Sequence, residues 1–242
     1  MTAKEHYDNH LGAFYSWMAG NFEVKQNEHQ QFLAEHHIIP ASTKYAVDLG
    51  AGHGIQSVSL ARLGFKVKAI DFNRTLLAEL KQNGKNLDID VIEDDIRLFN
   101  KHINTKPELI ICWGDTITHL ESIREIEQLL NNCCEALGEM GKLILSFRDY
   151  STELTGDNRF IPVNSDENRI LTCFLEYFPA YVRVTDQLYE KEGTGWVQKV
   201  SSYNKIRIDP AAIKNHLKQL GMKISFEGIM SRMNTIIAIK SN

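Results

Sequence analysis

Residues Tyr45 to Asp71 read YAVDLGAGHGIQSVSLARLGFKVKAID, and this stretch decides the fold. A short apolar run, Tyr45 to Leu49, carries one acid, Asp48. Glycines follow at alternate positions: Gly50, Gly52 and Gly54. Ile55, Val58, Leu60 and Leu63 then recur with helical spacing, and Gly64 stands where a helix would stop. A second apolar run, Val67 to Ile70, ends on Asp71. The order strand, glycine turn, helix, strand, acid predicts one βαβ unit with a ligand site at its mouth. Glycines let the backbone turn tightly and approach a ligand without a Cβ in the way. The helix start offers free N–H groups and the positive end of its dipole. Asp71 lies 21 residues after Gly50, where a carboxylate at a strand tip can accept both hydroxyls of a ribose. The ligand is therefore expected to contain a nucleoside; the plain alternative is a glycine-rich turn without a ligand.

The spacing separates two nucleoside classes. The dinucleotide fingerprint places its third glycine three positions after the second, which here is Ile55. This chain has Gly54 two positions after Gly52, and Asp48 two positions before Gly50. That arrangement resembles motif I of class I S-adenosylmethionine (SAM)-dependent methyltransferases. The resemblance implies an α/β, Rossmann-like fold: a mostly parallel seven-stranded sheet flanked by helices, here with a small inserted antiparallel sheet as a substrate lid. It implies SAM as cofactor and S-adenosylhomocysteine as product. It implies cofactor contacts from Asp48, Gly50, Gly52, Gly54 and Asp71, from Phe72 lying against a base, and from Trp113. In the family an acid after the third strand binds the adenine amino group, followed by a backbone N–H to the ring. Asp95 and Ile96 match that pair best, with Asp94 as runner-up. An ionised carboxylate is acceptor-only and suits that donor. The competing structural reading is an acidic turn capping the next short helix.

Composition narrows the class. The chain has 242 residues, 43% hydrophobic, with a net charge of −4. Acids and bases are mixed along it, without the basic surface that nucleic-acid binding requires. Its four cysteines, Cys112, Cys133, Cys134 and Cys173, show no metal-type spacing, and a reduced cytoplasmic setting is the simple expectation. MTAKEHYDNH has no apolar leader core, and no long apolar run occurs. The chain is read as neither exported nor membrane-spanning. His6 and His10 are four apart, but no carboxylate–histidine cluster accompanies them, so no metal site is expected.

Four segments are expected: 1–40 as an N-terminal lid, 41–150 as the cofactor-binding core, 151–208 as an inserted antiparallel lid, and 209–242 as the rest of the core. The first is rich in aromatics, followed by a helix from about Val24 to His37. Its resemblance to small-molecule methyltransferases implies Tyr7, Tyr15 and Trp17 as lid residues, against the alternative that they simply pack. Helices are predicted over 73–83, from Ser122 to Leu137 and from Pro210 to Leu220. Core strands are predicted over 87–92, 108–113, 141–147, 223–228 and 234–240. Residues 151–169 read as a polar loop, followed by three antiparallel strands.

Two further stretches, ICWGDTITHL and SFRDYS, resemble the glycine N-methyltransferase group. There the arginine binds the substrate carboxylate, which implies Arg148 as a substrate contact; a salt bridge to Asp149 or Asp115 is the alternative. Asp115 and His119 are the local candidates for a general base, needed only if the acceptor arrives protonated. His119 is also a candidate substrate contact. The expected function is methyl transfer to a small molecule, an amine or amino-acid-like acceptor with an anionic group. A non-catalytic SAM-binding protein and, less favoured by the glycine spacing, an NAD(P)-dependent oxidoreductase are the alternatives.

Overall fold

The computed structural model describes residues 1–241; Asn242, the last residue of the C-terminal segment, lies outside them. In chain order the N-terminal part forms α1 (Ala3–Asn9), α2 (Tyr15–Ala19) and α3 (Phe22–Glu35). The core follows as β1 (Tyr45–Leu49), α4 (Ile55–Arg62), β2 (Lys66–Asp71), α5 (Arg74–Asn83), β3 (Ile89–Glu93), β4 (Leu109–Cys112), α6 (Ile123–Ala136) and β5 (Lys142–Phe147). The second sheet, the segment expected to form a lid and called so below, comprises β6 (Phe160–Ser165), β7 (Arg169–Tyr177), β8 (Tyr181–Glu192) and β9 (Gly195–Ile206). The chain then returns to the core as α7 (Pro210–Gln219), β10 (Met222–Met230) and β11 (Met233–Lys240).

The seven-stranded sheet has the order β10-β11-β5-β4-β1-β2-β3. The β5-β4-β1-β2-β3 block is parallel, and β11 runs antiparallel to both β5 and β10. From β1 the chain moves to β2 and β3 on one side, then back to β4 on the other. The strand order thus reverses between β1 and β4, and ligands in open α/β sheets bind beyond the strand ends at such a point. The glycine turn follows β1, and Trp113 to His119 follow β4, so the topology places these two loops side by side.

Local chemistry sets the helix ends. Asn73 caps α5 by accepting from the Leu76 amide at 3.0 Å, and Ser122 caps α6 by accepting from the Glu125 amide at 3.2 Å. Ile126, Leu129, Leu130 and Cys133 form the buried stripe of α6. Residues at such spacing share one face of a helix. α1 was not foreseen, although Thr2 and Glu5 carry its start signal. The Thr2 hydroxyl accepts from the Glu5 amide and the Glu5 carboxylate from the Thr2 amide, a capping box.

The lid has four strands where the sequence suggested three. β6 lies inside the stretch read as a polar loop and pairs antiparallel with β7. It is an edge strand, with a register shift between Pro162 and Asn164. Proline is tolerated on an edge because no partner needs its missing N–H, which is why FIPVNS does not look like a strand.

The turn after β1 depends on glycine at Gly50, where φ is +77°. A Cβ there would collide with the Thr116 side chain. Gly50→Ala is expected to destabilise the protein by more than the ~1–2 kcal/mol of left-handed strain alone. In urea unfolding, Gly50→Ala/Thr116→Gly should recover the steric part and leave the backbone part.

Candidate active site

The glycine turn is held open from behind. The Gly50 and Ala51 amides donate to the Ile70 carbonyl at 2.8 and 3.1 Å. Asp71, at the tip of β2, accepts from the Gly52 amide at 2.9 Å and the Asn73 amide at 2.8 Å. Burial pushes the Asp71 carboxyl up, opposed by those amide hydrogen bonds. Each oxygen keeps a lone-pair direction beyond its amide partner. A Cβ on Gly52 would reach only the Tyr15 ring at 3.9 Å and Leu76 at 4.0 Å, so the turn faces open space.

That space is one cavity of about 1700 Å³. It touches Gly50, Gly52, Asp71, Phe72, Asp94, Asp95, Ile96 and Trp113 along one stretch, and Tyr7, Tyr15, Asp115, His119 and Arg148 along another. The sequence-predicted residues therefore meet on one continuous wall, with three exceptions. Asp48 lies behind the turn, buried, with its carboxylate accepting from the Ser57 hydroxyl at 2.6 Å. Burial raises it to about 7; it braces β1 against α4. Gly54 starts α4 with φ +100°, and a Cβ there would strike Leu80 at 2.7 Å, so it serves packing. The Trp17 indole donates to Asp166 at 2.6 Å and ties the N-terminal segment to the lid.

At the acidic corner both candidate carboxylates have protein partners. Asp95 caps the short helix Ile96–His102 through the Arg97 amide at 2.8 Å and also holds the Arg97 guanidinium. Asp94 sits 2.6 Å from His102 Nε2. The capping geometry is real, and it coexists with exposure of both acids to the cavity.

The inner chamber is built around Asp115. This residue follows Gly114 in a left-handed conformation, φ +75°. Its carboxylate accepts from the Arg148 amide at 2.8 Å, the Tyr150 hydroxyl at 3.2 Å and the Lys205 ammonium at 2.6 Å. Burial pushes the carboxyl up, but Lys205, the Arg148 amide and His119 together hold it below its ordinary value. Asp115 is thus an ionised, neutralised anchor rather than a free base. His119 lies in a file of rings: its plane is 15° from that of Tyr203 at 5.5 Å, Tyr203 stacks on His6 at 4.1 Å, and Tyr7 meets His119 edge-on at 5.6 Å. Burial, aided by the Lys205 charge, lowers His119 to about 3, and its Nδ1 is buried with no partner among the described residues. It is a neutral ring at pH 7, and burial makes it a weaker proton acceptor than a free imidazole. Arg148 is loosely placed, with Nε 3.8 Å from Asp115 and 46% of its side chain exposed.

Residues 46–141 match the family model described as a methyltransferase domain. A glycine/sarcosine N-methyltransferase of Parasynechococcus marenigrum (strain WH8102) is 30% identical over 128 residues, 52% of this chain and 44% of that protein. That of Halorhodospira halochloris is 32% identical over 106 residues, 43% of this chain and 40% of that protein. An S-adenosylmethionine-dependent methyltransferase structure from Clostridium acetobutylicum ATCC 824 superposes with TM-score 0.75 over 98% of this chain and 97% of the other, at 16% identity. Residues 46–141 are thus a methyltransferase domain, and the chain as a whole has the fold of SAM-dependent methyltransferases. Its matched stretch spans less than half the length of these two curated relatives.

Several residues of the inner chamber carry no signal in the sequence. Lys205, Tyr203 and Asp186 come from β8 and β9, and Tyr150 follows β5. His6 is fully buried, with Nδ1 2.8 Å from Ser201 Oγ and Nε2 3.0 Å from Asp186 Oδ2. It fastens α1 to the lid. Alternation along β8 and β9 marks which residues share a face, but not that this face meets Asp115 from a distant part of the chain.

Lys205→Met leaves the Asp115 charge buried and is expected to cost about 3–5 kcal/mol; Lys205→Met/Asp115→Asn should recover most of it in urea titrations. His29, beside Trp113 on the cavity wall, is lowered to about 3 by burial, with neither ring nitrogen partnered. Its unfolded form gains a proton below about pH 6.5, while its folded form does so only near 3. Its contribution to stability therefore falls as pH drops from 6.5 towards 3. His29→Phe should gain about 1.4 kcal/mol on wild type between pH 7.5 and 5.5, measured by denaturant unfolding at both pH values.

Proposed function

We propose that this methyltransferase moves a methyl group from SAM to a small molecule by in-line displacement, releasing S-adenosylhomocysteine. The acceptor is an amine or amino-acid-like compound with an anionic group. The observation that carries this reading is the continuity of the cavity from the glycine turn and Asp71 to the ring-lined chamber at Arg148. Asp71 would hold the ribose, Asp94 or Asp95 with the Ile96 amide the adenine, and Phe72 would lie against its face. When bound, the cofactor supplies a methyl group already activated by a sulfonium.

The chain's own contribution is alignment and exclusion of water. Tyr7, Tyr15 and His119 close the chamber, and Arg148 offers a fork to a carboxylate. With Asp115 neutralised and His119 weakly basic, an amine acceptor would shed its proton to solvent before entering. The same shortage of a base favours, as a second reading, a protein that binds SAM without turning it over. Nucleic acid and membranes are not the proposed partners: net charge is −4, and no helix among the described residues is long and apolar enough to cross a membrane. The proposed setting is the cytoplasm.

Calorimetry with SAM is expected to show one site per chain, and Asp71→Ala should weaken binding at least tenfold. NADH should not compete. SAM binding without a methylated product from any amine would favour the second reading; no SAM binding at millimolar concentration would end both.

A further inference from the structure

The chamber is larger than a free amino acid needs. Pockets for drug-sized ligands run about 300–1000 Å³. Giving the upper figure to the adenosyl ligand still leaves about 700 Å³ of the cavity's 1700 Å³. The walls of the remainder are chemically uneven. Strand alternation turns Ile161, Cys173, Leu175 and Val184 of the lid to the same inner face, and all four line the cavity. Leu154 and Val163 stand at its rim, 37% and 38% exposed. Arg148 lines the same cavity with its fork unclaimed, because Asp115 Oδ2, 3.8 Å from its Nε, already accepts Lys205 at 2.6 Å. An available cation beside an apolar wall is complementary to an anion with an apolar body.

We infer that the acceptor is an amphipathic molecule larger than glycine or sarcosine, its carboxylate against Arg148 and its alkyl or ring portion against Leu154, Ile161, Val163 and Leu175. This rests on the methyl-transfer reading of the same site. Burying one methylene contributes about 0.8 kcal/mol, or about fourfold in affinity.

The test titrates straight-chain 2-amino acids, from glycine to 2-aminooctanoate, into the full chain preloaded with S-adenosylhomocysteine. Kd should fall about fourfold per methylene over the middle of the series. Leu154→Glu and Val163→Glu, both at exposed positions, should cut that increment below twofold. Arg148→Ala should weaken every acid at least tenfold while the nucleoside loads as before. Tightest binding by glycine, or a flat series, would overturn the inference. If S-adenosylhomocysteine fails to load, the cofactor reading falls before any acid is added and takes this inference with it.

Discussion

A buried carboxylate and the ammonium that neutralises it join the two sheets of this protein. Asp115 projects from the end of β4 and Lys205 from β9, 90 positions later in the chain. Neither charge is stable alone in such a site, since an unpaired buried ion costs several kcal/mol. The pair exists only when the lid is docked, and docking also brings Tyr203 over His119 and the Tyr150 hydroxyl to the same carboxylate. The left-handed backbone at Asp115 belongs to this arrangement. Aspartate tolerates that conformation better than most residues, and there its Oδ1 reaches the Arg148 amide while Oδ2 meets the lid.

The same pairing shapes the chemistry. A carboxylate saturated by an ammonium, an amide and a phenol has little basicity left for a substrate. The imidazole beside it is kept neutral by burial and by the Lys205 charge. What the chamber retains is shape: rings on one side, an apolar lid on another and a guanidinium at the rim. Such a site is suited to a reaction whose electrophile arrives activated and whose remaining requirement is approach along one line in a dry space.

Sequence reading recovered what local pattern encodes. The glycine turn, Asp71 at its strand tip, the helices starting near Asn73 and Ser122 and the seven core strands all overlap the runs whose spacing predicts them. Long-range partners were invisible. Arg148 and Asp115 could be singled out by resemblance, yet nothing near them announces Lys205, because the pairing is made by strand register between distant segments. Asp48 shows the converse. Its place two residues before the glycines suggested ligand contact, whereas β1's alternation turns it to Ser57 behind the turn. β6 was hidden by Pro162, whose cost as a strand former vanishes only on an edge, and being an edge is a property of the sheet rather than of the segment.

These differences follow the division of labour in the fold. The segment matched by the family model, 46–141, holds the glycine turn, Asp71, the acidic corner and Trp113 to His119. Those residues answer to one invariant ligand shape in the proposed function, so their spacing is constrained and legible. Arg148, Lys205 and the inner face of the lid all lie beyond residue 141. The lid strands enter between β5 and α7, where a change of strand length or side chain alters the chamber without moving the switch point between β1 and β4. Likeness in the first half therefore speaks to the cofactor. The acceptor has to be argued from the volume, apolarity and charge of the second.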